Sequence, residues 1–267
     1  MAKNLRDALP PEGKRGSRTD NVRCVIPYKD LREWLAEAER LGEVVHTKGL
    51  NVEEEIGQAA ELVMHSDEAP CVVFDEMPGY KKGHRVLVNF FAGKRKNMTL
   101  GFPTELSKIE LSEAYYREQL KDMTPIPHQI VTTGPVMENV MEGDDIDVEA
   151  FPTPLWHSAD GGRYLGTGSY DVTKDPDSGW LNLGTYRVMV MDKKTVGFYI
   201  SPGKHGRIHR DKWQAKGEPM PAVIVCGGDP MTFLTACTEM PQGVCEYDIV
   251  GAMRGEALKV TLAVTIS

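Results

Sequence analysis

The sequence predicts an α+β protein in which a small N-terminal α/β domain precedes a region of short strands. Two observations predict this class. Helical periodicity alternates with apolar, strand-like runs as far as about residue 125. Beyond it, short alternating segments are separated by turns rich in glycine and proline. The same change in character predicts three parts: a polar N-terminal arm (1–27), the α/β domain (28–125) and a second domain (126–267).

Helices and strands alternate in the first domain. The stretch YKDLREWLAEAERLGEVVHT is predicted to be helical, with Gly42 as its C-cap, because apolar residues recur every three and four positions. A second amphipathic helix is predicted in VEEEIGQAAELVMHS, and strands in PCVVFDEMPG and HRVLVNFFAG. Helix resumes in TELSKIELSEAYYREQLKDM, for which Thr104 is the predicted N-cap.

The second domain is predicted to be a small barrel or sandwich. It opens with an irregular linker, PIPHQIVTTGPVMENVMEGDDIDVEAFPTPLWH, which is rich in proline, glycine and acids. Strands are predicted in LGTGSYDVTKD, WLNLGTYRVMVMDKKTVGFYI, PAVIVCGG and EALKVTLAVTIS, and a short helix in MTFLTACTEM. Many short strands joined by turns are typical of such β architectures.

Composition narrows the function classes. The chain is 41% hydrophobic and 26% charged, as in soluble globular proteins, and its net charge of −8 argues against a general nucleic-acid partner. No apolar run reaches the length of a membrane span, and the N-terminus lacks a secretory apolar core. Five cysteines form no CxxC pair, so neither a zinc knuckle nor a disulfide framework is indicated. A reducing cytoplasm is the predicted location.

Three polar residues are candidates for a metal site: Asn182, His205 and Glu246. An amide oxygen, an imidazole and a carboxylate form a hard-ligand set that suits manganese or magnesium. The cations Arg187 and Lys204 lie near them in sequence, so such a metal could bridge the protein to a phosphate. The spacing alone also fits a surface histidine and an asparagine at a strand edge.

Several motifs, in order, resemble a known family. NLGTYR is followed by SPGKHGRIH and then by CEYDIVGAMRGEALKVT, and YKDLREWLAEAERLGEVVH is similar to the family's opening helix. With PLWHSADGGRYLGTGSYDVTKDPDSGWLNLGTYR, the resemblance covers about residues 28–267. The chain thus resembles the UbiD family of carboxy-lyases, which use prenylated FMN.

The resemblance implies a fold and a set of site residues. The second domain would be a split β-barrel of the flavin-reductase kind, and Asn182, His205 and Glu246 would hold Mn²⁺ or another divalent metal on the cofactor phosphate. K⁺ is a further candidate ion. The residues that would line the cofactor are Thr185, Tyr186, Arg187, Tyr199, Ile200, Ser201, Lys204, His205 and Met240.

The resemblance also implies an activity: non-oxidative, reversible decarboxylation of an aromatic or α,β-unsaturated acid. Arg187 would be catalytic, since a guanidinium binds a carboxylate at two points. A flavin prenyltransferase would supply the cofactor, and the full-length form would be a homo-oligomer.

One departure from the family opens an alternative. The family's general acid lies in an acidic segment downstream of the GALKVT-like strand, and this chain, which ends at Ser267, lacks that segment. The chain would then be truncated, an inactive cofactor-binding fragment, or a subunit that needs a second chain for acid–base residues. A flavin-reductase-like protein with ordinary FMN is a weaker alternative, because it rests on fold analogy.

Overall fold

The computed structural model describes Thr19, residues 22–166 and residues 168–263. Most of the predicted N-terminal arm and the last four residues of the final predicted strand lie outside the described residues. Among the described residues, no helix combines the length and apolar character that crossing a membrane requires.

Among the described residues, the N-terminal half consists of four α-helices and a three-stranded sheet. The helices are α1 (Leu31–Arg40), α2 (Glu55–Met64), α3 (Gly93–Thr99) and α4 (Lys108–Tyr115), the last continued by a π-helical turn (Tyr116–Leu120). The strands are β1 (Val44–Lys48), β2 (Cys71–Asp75) and β3 (Val86–Val88). β2 lies in the centre of the sheet, parallel to β1 and antiparallel to β3.

Local sequence explains where these helices begin and end. The Asp30 side chain accepts hydrogen bonds from two amides of the first turn of α1, and Gly42 follows the C-cap with a φ of 71°. The helix ends just before Gly42, as the predicted C-cap at this glycine requires, and the rest of the stretch, Val44–Lys48, extends and pairs with β2. Thr104 is not the N-cap of α4; Ser107 is, in a reciprocal capping box with Glu110.

Among the described residues, the second half contains eight short strands, three α-helices and three short 3-10 turns (Pro135–Met137, Gly143–Asp145 and Val148–Ala150). The strands are β4 (Gln129–Val131), β5 (Tyr164–Gly166), β6 (Ser169–Lys174), β7 (Leu181–Gly184), β8 (Arg187–Asp192), β9 (Thr195–Tyr199), β10 (Ala222–Cys226) and β11 (Lys259–Thr261). The helices are α5 (His205–Ala215), α6 (Pro230–Ala236) and α7 (Glu246–Arg254). The sheets have the orders β10-β6-β7, β5-β8-β9 and β11-β4.

Three of these elements were not predicted. α5 is strongly polar, and its buried residues are Gly206 and His209, so it shows no apolar stripe. α7 ends at Gly255 in the left-handed conformation, a C-cap signal that the sequence does contain. β4 lies inside the predicted linker and pairs in parallel with β11, a partner about 130 residues away.

The predicted mixed class is confirmed, with several sheets and packed helices. Within the described ranges no sheet closes on itself, so the barrel remains a prediction. One core cluster lies on each face of the N-terminal sheet, and a third packs Leu100, Phe102 and Leu111 against Met231 of α6 and Val250 of α7. The domain boundary near residue 125 also remains a prediction.

A packing constraint on α2 leads to the first prediction. A Cβ at Gly57 would overlap the carbonyl oxygen of Trp156 and lie 2.8 Å from that of Leu155. Alanine would favour the helix by about 0.5–1 kcal/mol, but the overlap costs about 1–3 kcal/mol. We expect Gly57→Ala to lower the melting temperature by a few degrees, roughly 2–6 °C.

Gly161→Ala is the matched control for Gly57→Ala, because its Cβ would meet only the Met189 sulfur at 3.9 Å. Thermal unfolding followed by circular dichroism checks both variants. A higher melting temperature for Gly57→Ala would show that intrinsic helix propensity outweighs the packing of α2 against this backbone.

Candidate functional site

A polar cleft opens where β7, α5, α6 and α7 meet. It is lined by the end of β7 with the following turn, the start of α5, the loop after α6 and the first residue of α7. These residues are Asn182, Leu183, Gly184, Thr185, Tyr186, Lys204, His205, Ala236, Cys237, Thr238, Glu239, Met240 and Glu246. The cleft encloses about 80 Å³, well below the roughly 300–1,000 Å³ of pockets that hold a whole small molecule. Its size suits an ion with a phosphate-sized group.

The two most deeply buried polar groups of the cleft are Asn182 on β7 and Glu246 at the start of α7, which are 3% and 1% exposed. One Glu246 carboxylate oxygen (Oε2) accepts a hydrogen bond of 2.8 Å from the Leu183 amide. Burial raises the pKa of Glu246 to about 7. Within the described ranges no cationic side chain pairs with it, so a bound cation would supply the missing charge.

His205 and Lys204 enter the cleft from the start of α5, where Lys204 is the N-cap residue and His205 the first helical residue. The Lys204 ammonium lies 3.3 Å from the carboxylate of Glu239 on the opposite wall, and both side chains are exposed. The N-termini of α5 and α7 both border the cleft. Helix N-termini carry partial positive charge and unpaired amide donors, which favour an anion.

Tyr186 connects two walls of the cleft, β7 and the start of α5. Its hydroxyl accepts hydrogen bonds from the Asn182 side-chain amide at 3.4 Å and from the Gly206 amide at 3.2 Å. A Cβ at Gly206 would lie 2.8 Å from this hydroxyl, and one at Gly184 would overlap the ring. Both glycines are therefore required by the close approach of the phenol, because no side chain fits beneath it.

Asp171 fixes the backbone of Tyr186 through a hydrogen bond, a role that the sequence did not predict. It lies on β6, is fully buried, and one of its carboxylate oxygens accepts a hydrogen bond of 2.8 Å from the Tyr186 amide. The other oxygen has no hydrogen-bond partner among the described residues. Burial raises the pKa of Asp171 to about 7.

The predicted site residues divide into two groups. Asn182, Thr185, Tyr186, Lys204, His205, Met240 and Glu246 all line the cleft. Arg187, Tyr199, Ile200 and Ser201 do not. Arg187 is paired with Tyr199 across the β8–β9 hairpin, is exposed, and lies with its guanidinium 5.9 Å from the Tyr199 ring centroid. Ile200 is buried at 3% exposure.

Three lining residues between α6 and Met240 were also missed: Cys237, Thr238 and Glu239. The polar stretch CTEMPQG was the available signal, but it does not reveal which side chains face the cleft. Burial raises the pKa of the Cys237 thiol, while a hydrogen bond with Thr185 acts in the opposite direction.

The donors present fit a divalent metal that carries a phosphate. An amide, an imidazole and a carboxylate line one small cleft, and the carboxylate is buried without a cationic side chain among the described residues. Hard divalent cations prefer such oxygen-rich sets. The neighbouring helix N-termini and Lys204 suit the anionic group.

Fold and cleft together define a mixed α/β protein with a small polar cleft bordered by the N-termini of two helices. The model described as the UbiD 3-octaprenyl-4-hydroxybenzoate carboxy-lyase Rift-related domain matches residues 129–267, just over half of the chain. The chain belongs to the UbiD family, which confirms the resemblance seen in the sequence.

Curated relatives are named decarboxylases. Pyrrole-2-carboxylic acid decarboxylase of Pseudomonas aeruginosa is 31% identical over 86% of this chain and 48% of its own length. Phenolic acid decarboxylase of Sedimentibacter hydroxybenzoicus is 30% identical over 85% of this chain and 48% of its own length. The chain spans about half the length of the curated relatives it matches.

Solved structures of the same class share the fold. The closed form of vanillic acid decarboxylase from Sedimentibacter hydroxybenzoicus matches with a TM-score of 0.83 and 28% identity, over 90% of this chain and 52% of that one. An evolved dimeric UbiD-class enzyme from Pelotomaculum thermopropionicum, in complex with prFMN, matches with a TM-score of 0.75 and 25% identity, over 90% and 54%.

The buried Asp171 leads to a prediction about pH. Its pKa is about 7 in the folded chain and about 3.9 when unfolded. Between these values the folded state holds a proton that the unfolded state has lost. The free energy of unfolding therefore falls as pH rises from about 4 to 7, with a slope of at most about 1.4 kcal/mol per pH unit from this group.

Asp171→Asn keeps an oxygen that can accept from the Tyr186 amide but does not titrate. We expect the variant to lose less stability than the unsubstituted protein between pH 5 and pH 8, as measured by urea unfolding at several pH values. Asp177→Asn, at an exposed position of the same domain, is the control and should keep the original slope. Identical pH profiles for Asp171→Asn and the original chain would contradict the assignment.

Proposed function

We propose that this chain forms the cofactor-binding part of a prenylated-FMN-dependent carboxy-lyase that decarboxylates an aromatic or α,β-unsaturated acid. The observation that carries the proposal is the cleft in which Asn182, His205 and Glu246 meet beside two helix N-termini. The names of the relatives support the reaction class, since they act on pyrrole-2-carboxylic and phenolic acids.

Five residues of the cleft have a proposed part in binding. Asn182, His205 and Glu246 would hold Mn²⁺ or another divalent ion, and K⁺ is a further candidate. Lys204 and the positive N-terminal end of α5 would bind the cofactor phosphate. Tyr186 keeps Asn182 and α5 in register through its hydroxyl. When bound, prenylated FMN supplies the electron sink for the loss of carbon dioxide.

Arg187 is proposed to act on the substrate side, with Tyr199, Ile200 and Ser201 along the flavin. It lies outside the phosphate cleft, and no carboxylate pairs with it among the described residues. A planar guanidinium of this kind can bind the substrate carboxylate at two points. The bond from that carboxylate to its neighbouring carbon then breaks, carbon dioxide leaves, and a proton takes its place.

The remaining parts of the proposal concern the assembled protein. The sheets of the second half would contribute to a split β-barrel of the flavin-reductase kind, and a flavin prenyltransferase would supply the cofactor. A cytoplasmic homo-oligomer is the proposed assembled form; the Pelotomaculum thermopropionicum relative includes an evolved dimeric form.

A second candidate is a subunit that holds the cofactor while another chain supplies acid–base residues. The observation that favours it is length, because the chain covers only 48–52% of its decarboxylase relatives. One structure of the Sedimentibacter hydroxybenzoicus enzyme is described with a truncated ShVdcD component.

The test is co-production of the chain with a flavin prenyltransferase, followed by mass spectrometry of bound flavin and metal analysis. The proposal expects prenylated FMN and about one divalent metal per chain. A purified protein with neither flavin nor metal would refute it. Cofactor without decarboxylation would favour the subunit candidate, and activity regained on adding a second chain would establish it.

Removing the charge of Glu246 should weaken metal and cofactor binding together. Glu246→Gln eliminates the carboxylate that attracts a divalent cation, so the phosphate loses its bridge. We expect Mn²⁺ affinity to fall at least tenfold, roughly the lower bound for changes to groups that merely support a ligand. Asn182→Ala should have a milder effect because its ligand is neutral. Metal analysis and flavin absorbance give the measurement.

Glu239→Gln is the control for Glu246→Gln, because Glu239 lines the same cleft but is exposed and already pairs with Lys204. Its metal content should stay within about twofold of the original chain. Unchanged metal content in Glu246→Gln would remove Glu246 from the proposed ligand set.

Replacing Arg187 separates substrate binding from phosphate binding. Lysine keeps the positive charge but cannot reproduce the planar two-point contact. We expect Arg187→Lys to keep flavin occupancy near that of the original protein and to lower decarboxylation by roughly 100-fold, the scale of a misplaced reacting group. The assay requires the full-length or reconstituted enzyme.

Arg210→Lys is the matched control for Arg187→Lys, because Arg210 pairs with Asp211 on α5 and does not line the cleft. Its turnover should be unchanged. Normal turnover in Arg187→Lys would make this arginine structural, and lost flavin with intact chemistry would assign it to the phosphate.

A further inference from the structure

Trp180 lies directly before β7, two residues ahead of Asn182, and its indole contacts groups on two other elements of the cleft. The ring centroid lies 4.9 Å from that of His205, with an angle of 68° between the rings. The indole N–H (Nε1) donates a hydrogen bond of 3.1 Å to the carbonyl oxygen of Val244, two residues before Glu246. The Trp180 side chain therefore contacts the His205 ring and a backbone carbonyl two residues before Glu246.

A second histidine also packs against the indole. His209 lies one helical turn after His205 on α5, is fully buried, and its ring centroid is 4.9 Å from that of Trp180 at an angle of 86°. The ring nitrogen Nδ1 of His209 is 3.0 Å from the Thr173 hydroxyl on β6. Aromatic pairs at this separation and near-perpendicular angle are favourable, so the indole is confined between β6, β7 and α5.

An ion pair attaches α5 to the residue that follows β6. Lys212, on the following part of α5, lies 2.6 Å from the carboxylate of Asp175, which in turn is 3.9 Å from the Nε2 atom of His209. α5 is thus attached to the end of β6 by contacts that do not involve the cleft. This attachment fixes the helix, whereas the orientation of the His205 ring depends on what its own ring contacts.

We propose that Trp180 is a positioning residue for the metal site, setting the His205 ring through its face and edge contacts and the start of α7 through its indole hydrogen bond. The inference rests on the proposed function, since it concerns the same Asn182, His205 and Glu246 set. Groups that orient metal ligands without touching the metal typically change affinity by roughly 10–100-fold when removed.

If Trp180 served only to pack the core, its replacement would have a different effect. Trp180 also packs against the core cluster of Tyr170, Leu183 and Tyr247, so its loss would lower stability in either case. A role limited to packing would leave metal affinity unchanged in the folded protein. Metal affinity and melting temperature must therefore be measured together.

Trp213 provides a matched control on α5. Its indole N–H donates a 2.8 Å hydrogen bond to the Lys174 carbonyl, the same type of contact as that of Trp180. Among the described residues, however, its ring does not pack on His205 or on another ring of the cleft, as the Trp180 ring does. We expect Trp180→Leu to weaken Mn²⁺ binding by roughly 10-fold or more, measured by calorimetric titration of Mn²⁺ with FMN in excess. Trp213→Leu should bind as the original chain does, even where its melting temperature falls equally.

Trp180→Phe separates the effects of the two contacts, because it keeps an aromatic ring beside His205 and loses the hydrogen-bond donor to the Val244 carbonyl. An affinity between those of Trp180→Leu and the original chain is expected. Equal Mn²⁺ affinity in Trp180→Leu and Trp213→Leu would overturn the positioning role while leaving the metal site intact. Failure of the unsubstituted chain to bind Mn²⁺ would instead refute the metal site, and the positioning role with it.

Discussion

The hydrogen bond between the Glu246 carboxylate and the Leu183 amide is the contact on which the arrangement of the cleft depends. It joins the first residue of α7 to the middle of β7, although the two are 63 positions apart in sequence. A carboxylate that is 1% exposed is unfavourable without a positive partner. The buried Glu246 carboxylate would be stabilised by a bound cation, and the neighbouring Asn182 is buried as well.

Close packing around Tyr186 gives the cleft its shape. The phenol lies against Gly184 and Gly206, its hydroxyl accepts from two walls, and Asp171 holds its backbone from β6. Since Gly206 belongs to the first turn of α5, the tyrosine sets how near the N-terminus of that helix approaches β7. The positive end of the helix is thus held at the place where an anion would bind.

Arg187 is exposed and lies outside the cleft, and this separation suits two different chemical requirements. A phosphate and a metal need a small, polar and pre-formed cavity, while a substrate that enters and leaves needs an accessible cation. Arg187 and Tyr199 lie on the neighbouring hairpin, outside the cleft and paired across β8 and β9. The two proposed tasks would therefore fall on consecutive strands of one continuous segment, the segment that carries the NLGTYR and SPGKHGRIH motifs.

The amino-acid sequence was enough to predict the mixed class, the alternation of the first half, the glycine that ends α1 and the ordered motifs that indicate the family. These depend on local periodicity, caps and residue order, all of which can be read along the chain. The folded structure was needed to show that β4 pairs with β11, that the polar α5 is a helix buried through Gly206 and His209, and that Asp171 supports Tyr186. It also decided that Arg187 lies outside the cleft. The physical reason is that these features come from contacts between distant segments, and burial of a polar residue depends on the partner it meets rather than on its neighbours in sequence.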